Sequence, residues 1–352
     1  MRVIHRAAAT AVVAALALVL VACDPAPTEP LARDRAAAWL VQRFGADNLI
    51  PASFDPSLDD LGGSAYSASN LMASGTGRDQ ARAAVRALAG RVDEYTLDAN
   101  GDDLPGSLAR LIIAVESVGR TPRTFGGTNL VARLEATVQP SGLFGVQDAT
   151  FDGAFRQGLS LSALSLVSPK PATIRGGDVP VRNRPAVAWL RDQQCADGSW
   201  MPFRADLDAP CAFDPTTLSG PDTNSTAIAT LGLAAVGVRA KVDAGTWFDA
   251  VRGSDGGWSF GGGADTASDP DSTGLVLAAR EALGTPIDEP GFARLVSFQF
   301  GPSTSADRRG AFWYPPFDAS PRQPNLLATN DALLALTPGV WPAVVERCLT
   351  TC

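Results

Sequence analysis

Two short segments of this 352-residue chain carry acidic and hydroxyl side chains in the same order, Asp222-Thr223-Asn224-Ser225-Thr226-Ala227 and Asp269-Pro270-Asp271-Ser272-Thr273-Gly274. The second places two carboxyl groups, Asp269 and Asp271, close together. Neighbouring carboxyls resist ionising together, so one can keep its proton near neutral pH and deliver it to an electron-rich substrate atom. The same residue types cap helix N-termini by accepting bonds from first-turn amides. A carboxylate there also faces the positive end of the helix dipole, which favours its ionised form. Recurrence of the segment with Asn224 in the place of Asp271 favours capping. Asp269 and Asp271 are therefore the candidate catalytic groups, and Asp222, Asn224 and Asp271 candidate ligand contacts. Glu116, Asp148, Asp152 and Asp331 add carboxylates from which a hydrolytic acid and base could be drawn, but no spacing selects a pair.

Other chemistries are excluded by composition. The only histidine is His5, inside a segment expected to be removed, which rules out Ser-His-Asp and Cys-His catalysis and histidine-bound zinc. No metal and no cofactor is expected. A net charge of −8 without a basic run argues against nucleic acid as a partner.

Arg2 and Arg6 precede an apolar run from Ala11 to Ala22, the pattern of a secretory signal over residues 1–22. The run ends Leu20-Val21-Ala22-Cys23, which resembles a lipobox and implies acylation of Cys23; ordinary signal cleavage is the alternative. Residues 23–32, with three prolines before Leu31, suit a tether. Four further cysteines fall as sequence-local pairs, Cys195 with Cys211 and Cys348 with Cys352, and in an exported chain predict two disulfides, although three connectivities are possible. A zinc site built from four thiolates is the competing reading. The abundance of Ala, Gly, Pro and Arg, with lysine only at Lys170 and Lys241, suggests a high-GC, actinobacterial source.

The elements that must position these groups repeat along the chain. Amphipathic outer helices are predicted at 33–44, 79–92, 129–138, 183–194, 244–252 and 290–300. Inner helices, apolar on nearly all sides and therefore buried, are predicted at 64–74, 106–118, 153–167, 225–236, 272–283 and 330–336. A hairpin every 40 to 50 residues or so marks a stacked helical array. Six outer and six inner helices make an all-α fold, an α6/α6 toroid over residues 33–340, followed by a tail helix at 341–352. Long turns rich in Gly, Asp and aromatic residues enter the N-terminal ends of the inner helices. Any site belongs at that mouth, with Trp258 and Trp313 as further candidate ligand contacts.

The stretch Ala186 to Trp200, ending Gln193-Gln194-Cys195-Ala196-Asp197-Gly198-Ser199-Trp200, resembles the QW repeat of squalene cyclases and protein prenyltransferases, as does Asp255 to Trp258. Nearly the whole chain after the signal resembles the prenyltransferase and squalene oxidase repeat proteins exported by actinobacteria and, more distantly, the helical domain of cobalamin carriers related to intrinsic factor. Asp269 to Gly274 is similar to the DxDDTA motif with which class II terpene cyclases protonate an alkene or epoxide. The resemblance implies Asp271 as proton donor and Asp269 as the first aspartate, with Ser272 replacing the last. Family enzymes are about twice this length, commonly support their acid with a histidine and wall their cavity with aromatics. Taken with the composition, this favours a non-catalytic, lipid-anchored module on the outer face of the cytoplasmic membrane. Its mouth would bind a small molecule, a glycan or a protein. The alternatives are a reduced class II cyclase or carboxylate-dependent hydrolase, and a structural envelope protein.

Overall fold

A computed structural model describes residues 29–212, 219–263, 265–315, 321–337 and 339. The expected signal segment 1–22, Cys23, Cys348, Cys352 and the tail at 341–352 lie outside them. Six inner helices form a ring: α2 (Leu61–Ser74), α5 (Pro105–Ser117), α7 (Ala149–Leu166), α9 (Thr223–Ala235), α11 (Pro270–Ala282) and α13 (Leu326–Ala335). Each packs on the next, and α13 returns to α2. Outside them run α1 (Glu29–Val41), α3 (Arg78–Leu88), α6 (Leu130–Ala136), α8 (Pro185–Asp192), α10 (Ala244–Ala250) and α12 (Glu289–Val296). The chain is an α/α toroid, as the periodicity predicts. Helix α1 starts at Glu29, so residues 29–32, expected in the tether, belong to the first outer helix. Its Ala32 is fully buried.

The local chemistry explains the alternation. Outer helix α3 buries only Ala81, Ala84, Val85 and Leu88, one face of a helix that is otherwise polar. The inner helices bury nearly every residue, and all but α5 have their first turn capped by a side chain. The carboxylates of Asp60, Asp222 and Asp269 accept bonds from the amides of Gly63, Ser225 and Ser272, each at 2.7 Å. The Asn325 side chain does the same for Ala328 at 2.9 Å. The expected second outer helix at 79–92 ends at Leu88, and a separate short helix α4 (Val92–Thr96) follows.

One hydroxyl in each of the last three repeats ties the preceding turn to its inner helix. The amides of Trp200, Trp258 and Phe312 donate to the hydroxyls of Thr226, Thr273 and Thr329 at 2.9, 3.0 and 2.9 Å. The indoles of Trp200 and Trp258 donate back to the carbonyls of Leu190 and Phe248 at 2.8 and 2.7 Å. Gln194, the glutamine of the QW-like stretch, donates to the Val242 carbonyl and accepts from the Lys241 and Val242 amides, stapling one hairpin to the next. Gln299 performs the same task at the closure, donating to the Ala32 carbonyl at 2.8 Å while accepting from Arg35. Two ribbons are the only strands among the described residues: β1 (Ile50–Pro51) with β2 (Asp59–Asp60), and β3 (Phe312–Trp313) with β4 (Pro324–Asn325), both antiparallel. Cys195 and Cys211 form a disulfide with a Cα–Cα distance of 5.8 Å, worth about 3 kcal/mol through restriction of the unfolded chain. No helix among the described residues is long and apolar enough to cross a membrane.

Candidate functional site

At the mouth of the ring the inner-helix caps separate into two roles. Asp222 and Asp269 are structural: each is almost fully buried and engages its own helix amides. Asp269 also accepts the Ser272 hydroxyl at 2.9 Å. Two residues further on, Asn224 and Asp271 leave the caps and face the toroid axis, where both line a cavity of about 100 Å³. The recurrent segment therefore encodes a cap and an axial side chain together. The expectation that capping explains the segment holds for Asp222 and Asp269 and fails for Asp271.

The partner of Asp271 is Asp331, one turn into α13. The two carboxyls hydrogen-bond to each other. The phenol of Tyr66, on α2, donates to Asp331 Oδ1 at 2.5 Å, and Asn224 engages Asp271 from the other side. The Asn224 Oδ1 accepts from the Thr223 hydroxyl at 3.2 Å, which turns its amide NH2 toward the carboxyl. The Oδ1 of Asp271 is buried without a hydrogen-bond partner. Facing it across the cavity are Phe155, Leu159, Ile228, Leu275 and Leu334.

Burial, then the neighbouring charge of Asp331, holds the Asp271 carboxyl well above the usual carboxylate range. Burial raises Asp331 too, but hydrogen bonds from Asp271 and Tyr66 favour its ionised form. Of the two, Asp271 is the more strongly raised, and the bonds that Asp331 receives favour it as the anionic member when the pair holds one proton. Tyr66, raised by burial and by Asp331, stays neutral and donating. The guanidinium of Arg110 lies 4.0 Å from the centre of the Tyr66 ring and offsets part of the negative charge.

Burial also overturns the expectation that the helix dipole keeps the caps ionised. It pushes Asp222 up to about 6 and Asp269 up to about 7, against the lowering effect of their amide bonds. In the folded state Asp222 binds a proton that the unfolded chain has released between about pH 4 and pH 6, so its contribution is full below pH 4 and is lost as pH rises through 6. Asp222→Asn keeps the cap and removes that loss. It should raise stability at pH 8 by on the order of 2 kcal/mol and change little at pH 4. Urea melts at the two pH values check this, and an equal effect at both would refute it.

The remaining sequence candidates separate clearly. Trp258 is fully buried with Arg252 over its ring at 4.6 Å and lines neither cavity at the mouth. As a ligand contact it is corrected to a core residue, and so is Asp222. Trp313 packs edge-on against Phe298 at 5.2 Å, with Arg322 at 3.9 Å on its ring, and it lines neither cavity at the mouth. Trp258→Ala should cost about 3–5 kcal/mol of stability. The milder Trp258→Phe should leave ligand affinity unchanged within twofold, as isothermal titration would show. Among the other carboxylates, Asp148 caps α7 through Thr150, Asp152 pairs with Arg156 at 3.1 Å, and Glu116 sits at the far end of α5, raised by burial to about 7. None reaches the axis. Tyr66 and Arg110 were not anticipated as site residues. Only the closing contact of the last hairpin with the first brings them to Asp331.

A second, larger cavity of about 780 Å³ adjoins the first and shares Tyr66, Arg110 and Leu327 with it. Its other walls include Trp39 of α1 and Arg43 just after it, the β1–β2 ribbon, the starts of α2 and α13, and Asp307.

No protein-family profile matches the chain, and no curated protein does. Among solved structures it is similar to a type II terpene cyclase from Scytonema at 13% identity, over 90% of this chain and 98% of that one, with a TM-score of 0.55. An unsaturated glucuronyl hydrolase from Bacillus sp. GL1 aligns at 12% identity over 92% and 98% of the two chains, TM-score 0.55. A protein from Actinoplanes aligns at 18% identity over 88% and 98%, TM-score 0.53. These likenesses establish the α/α toroid fold and nothing finer.

Proposed function

We propose that this toroid is an acid catalyst that protonates an electron-rich carbon–carbon double bond of an apolar substrate, with Asp271 as proton donor, Asp331 as its anionic partner and Tyr66 and Asn224 as the groups that orient the pair. One observation carries the reading: a buried carboxyl, held well above the usual carboxylate range by burial and by Asp331, has an unpartnered oxygen against an aliphatic and aromatic wall. In the reaction the Asp271 O–H bond breaks, the alkene π pair forms a C–H bond, and positive charge develops on the neighbouring carbon. Two carboxylates then face that cation, joined by the Tyr66 and Phe155 rings. Loss of a proton from an adjacent carbon returns the pair to its starting state, so the net change is isomerisation or ring closure. This is the chemistry implied by the likeness of Asp269 to Gly274 to the cyclase motif, with Asp331 supplying the second carboxyl that Ser272 does not. The terpene cyclase and glucuronyl hydrolase among the structural neighbours show that the fold accommodates enzymes. In the same proposal the enzyme is exported and held by an acylated Cys23 at the outer face of the cytoplasmic membrane.

A non-catalytic binding role draws support from the outer cavity, whose roughly 780 Å³ would hold a ligand that never enters the roughly 100 Å³ beside Asp271. The two readings separate in deuterium oxide. Incubation with polyprenols should give products carrying one carbon-bound deuterium per turnover, read by mass spectrometry. Binding without deuterium incorporation would establish the carrier reading, and glycan cleavage in a parallel panel would establish the hydrolase.

A further inference from the structure

We infer that the outer cavity is a binding site for the oxyanion head group of an amphipathic substrate whose apolar chain reaches Asp271, an inference that rests on the acid-site reading. Two guanidiniums line this cavity, Arg43 and Arg110. Each lies against an aromatic wall of the same cavity, Arg43 at 4.7 Å from the Trp39 ring centre and Arg110 at 4.0 Å from that of Tyr66. Among the described residues neither is within ion-pair distance of a carboxylate, and neither donates a hydrogen bond. The Nε of Arg43 is buried with no partner. Arg91, Arg133 and Arg252, by contrast, are each tied to aspartates, although an unpartnered buried Nε recurs at Arg78, Arg123, Arg156, Arg280 and Arg308; what sets Arg43 and Arg110 apart is that both line one cavity.

The acidic groups on the same cavity do not satisfy them. Asp60 is engaged as the cap of α2. Asp307 is exposed at the rim and acts on Arg43 only through its field. A buried guanidinium donor left unpaired is costly, and its planar fork matches carboxylate and phosphate oxygens. The cavity adjoins the apolar chamber of Asp271, with Tyr66, Arg110 and Leu327 lining both. A charged head outside and a hydrocarbon chain inside suit that succession of walls. The head is an oxyanion, either a carboxylate or a phosphate monoester.

The test uses the full chain and three ligands of equal hydrocarbon length: farnesoic acid, farnesyl monophosphate and farnesol, titrated by the quenching of tryptophan fluorescence. At least one anion should bind about tenfold or more tightly than the neutral alcohol, and which one it is identifies the head group. Arg43→Gln should bring that anion to within about twofold of the alcohol, with an unchanged circular dichroism spectrum, whereas Asp271→Asn should keep the preference. Equal binding of all three, binding of none, or a preference that survives Arg43→Gln would overturn the inference. Anion preference in a protein that incorporates no deuterium would instead count against the acid-site reading alone.

Discussion

Gly158→Val is expected to prevent folding, or to lower the thermal midpoint by roughly 10 °C, an effect of about 3 kcal/mol or more. Helices α7 and α9 touch through their backbones. A Cβ at Gly158 would lie 2.3 Å from the Ile228 carbonyl oxygen, and one at Gly232 would lie 2.5 Å from the Gly158 Cα. Neither position has a positive φ, so these glycines serve close approach rather than an unusual dihedral. No flexible side chain is available to yield, because the obstacles are main-chain atoms of a neighbouring helix in a closed ring. Gly274 makes the same contact one interface on: its Cβ would meet the Asp331 carbonyl oxygen at 2.5 Å. That contact sets the spacing of α11 and α13, and hence the meeting of Asp271 with Asp331. Gly301 is the control, with nothing near an added Cβ. Gly301→Ala should fall within about 0.5 kcal/mol of the parent. Thermal unfolding of the three proteins checks the argument, and a stable Gly158→Val variant would refute the packing described.

The twelve main helices were legible because their two kinds of surface differ so strongly. A helix that is apolar all round, such as α9, has to lie between neighbours, while α3 shows a single apolar face. The caps were legible for a local reason as well, since Asp222 and Asp269 act on amides three residues away. The acid pair was not. Asp331 was one of six carboxylates without a spacing to select it, because its partner stands on another helix and the two meet only where α11 packs against α13. Tyr66 and Arg110 lay further from view, on α2 and α5, and reach the site through closure of the array. The tryptophans misled for the opposite reason: an aromatic in a glycine-rich turn at the mouth suggests exposure, yet the Trp258 indole turns inward to the Phe248 carbonyl. The direction of the cap pKa values also depends on burial, which no local pattern expresses.

Asp271→Asn should reduce the rate of proton delivery by at least about 10³-fold, within the range of general-acid contributions, while stability at pH 7 stays within about 1 kcal/mol of the parent. Both expectations follow from the same geometry. The carboxyl is held protonated by burial and by Asp331, so an amide replaces it without removing a buried charge and can still donate to the Asp331 anion. What the amide cannot supply is an acidic proton. Asp331→Asn tests the other half of the pair and has a distinct signature. The Asp331 anion raises the Asp271 carboxyl; without it Asp271 releases its proton at a lower pH, although burial still keeps it above an exposed aspartate. The rate in the parent protein should fall as pH rises through the value for the pair, and in Asp331→Asn that fall should begin at a lower pH. Tyr66→Phe, which removes the hydrogen bond that favours the Asp331 anion, should move part of the proton to Asp331, lowering the plateau rate and displacing the fall in the opposite direction, to higher pH. Rate profiles from pH 4 to 9 on whichever polyprenoid incorporates deuterium would show these displacements. A profile that is identical in the parent and in Asp331→Asn would mean that the two carboxyls do not act together. More than a tenth of the parent rate in Asp271→Asn would move the proton donor elsewhere.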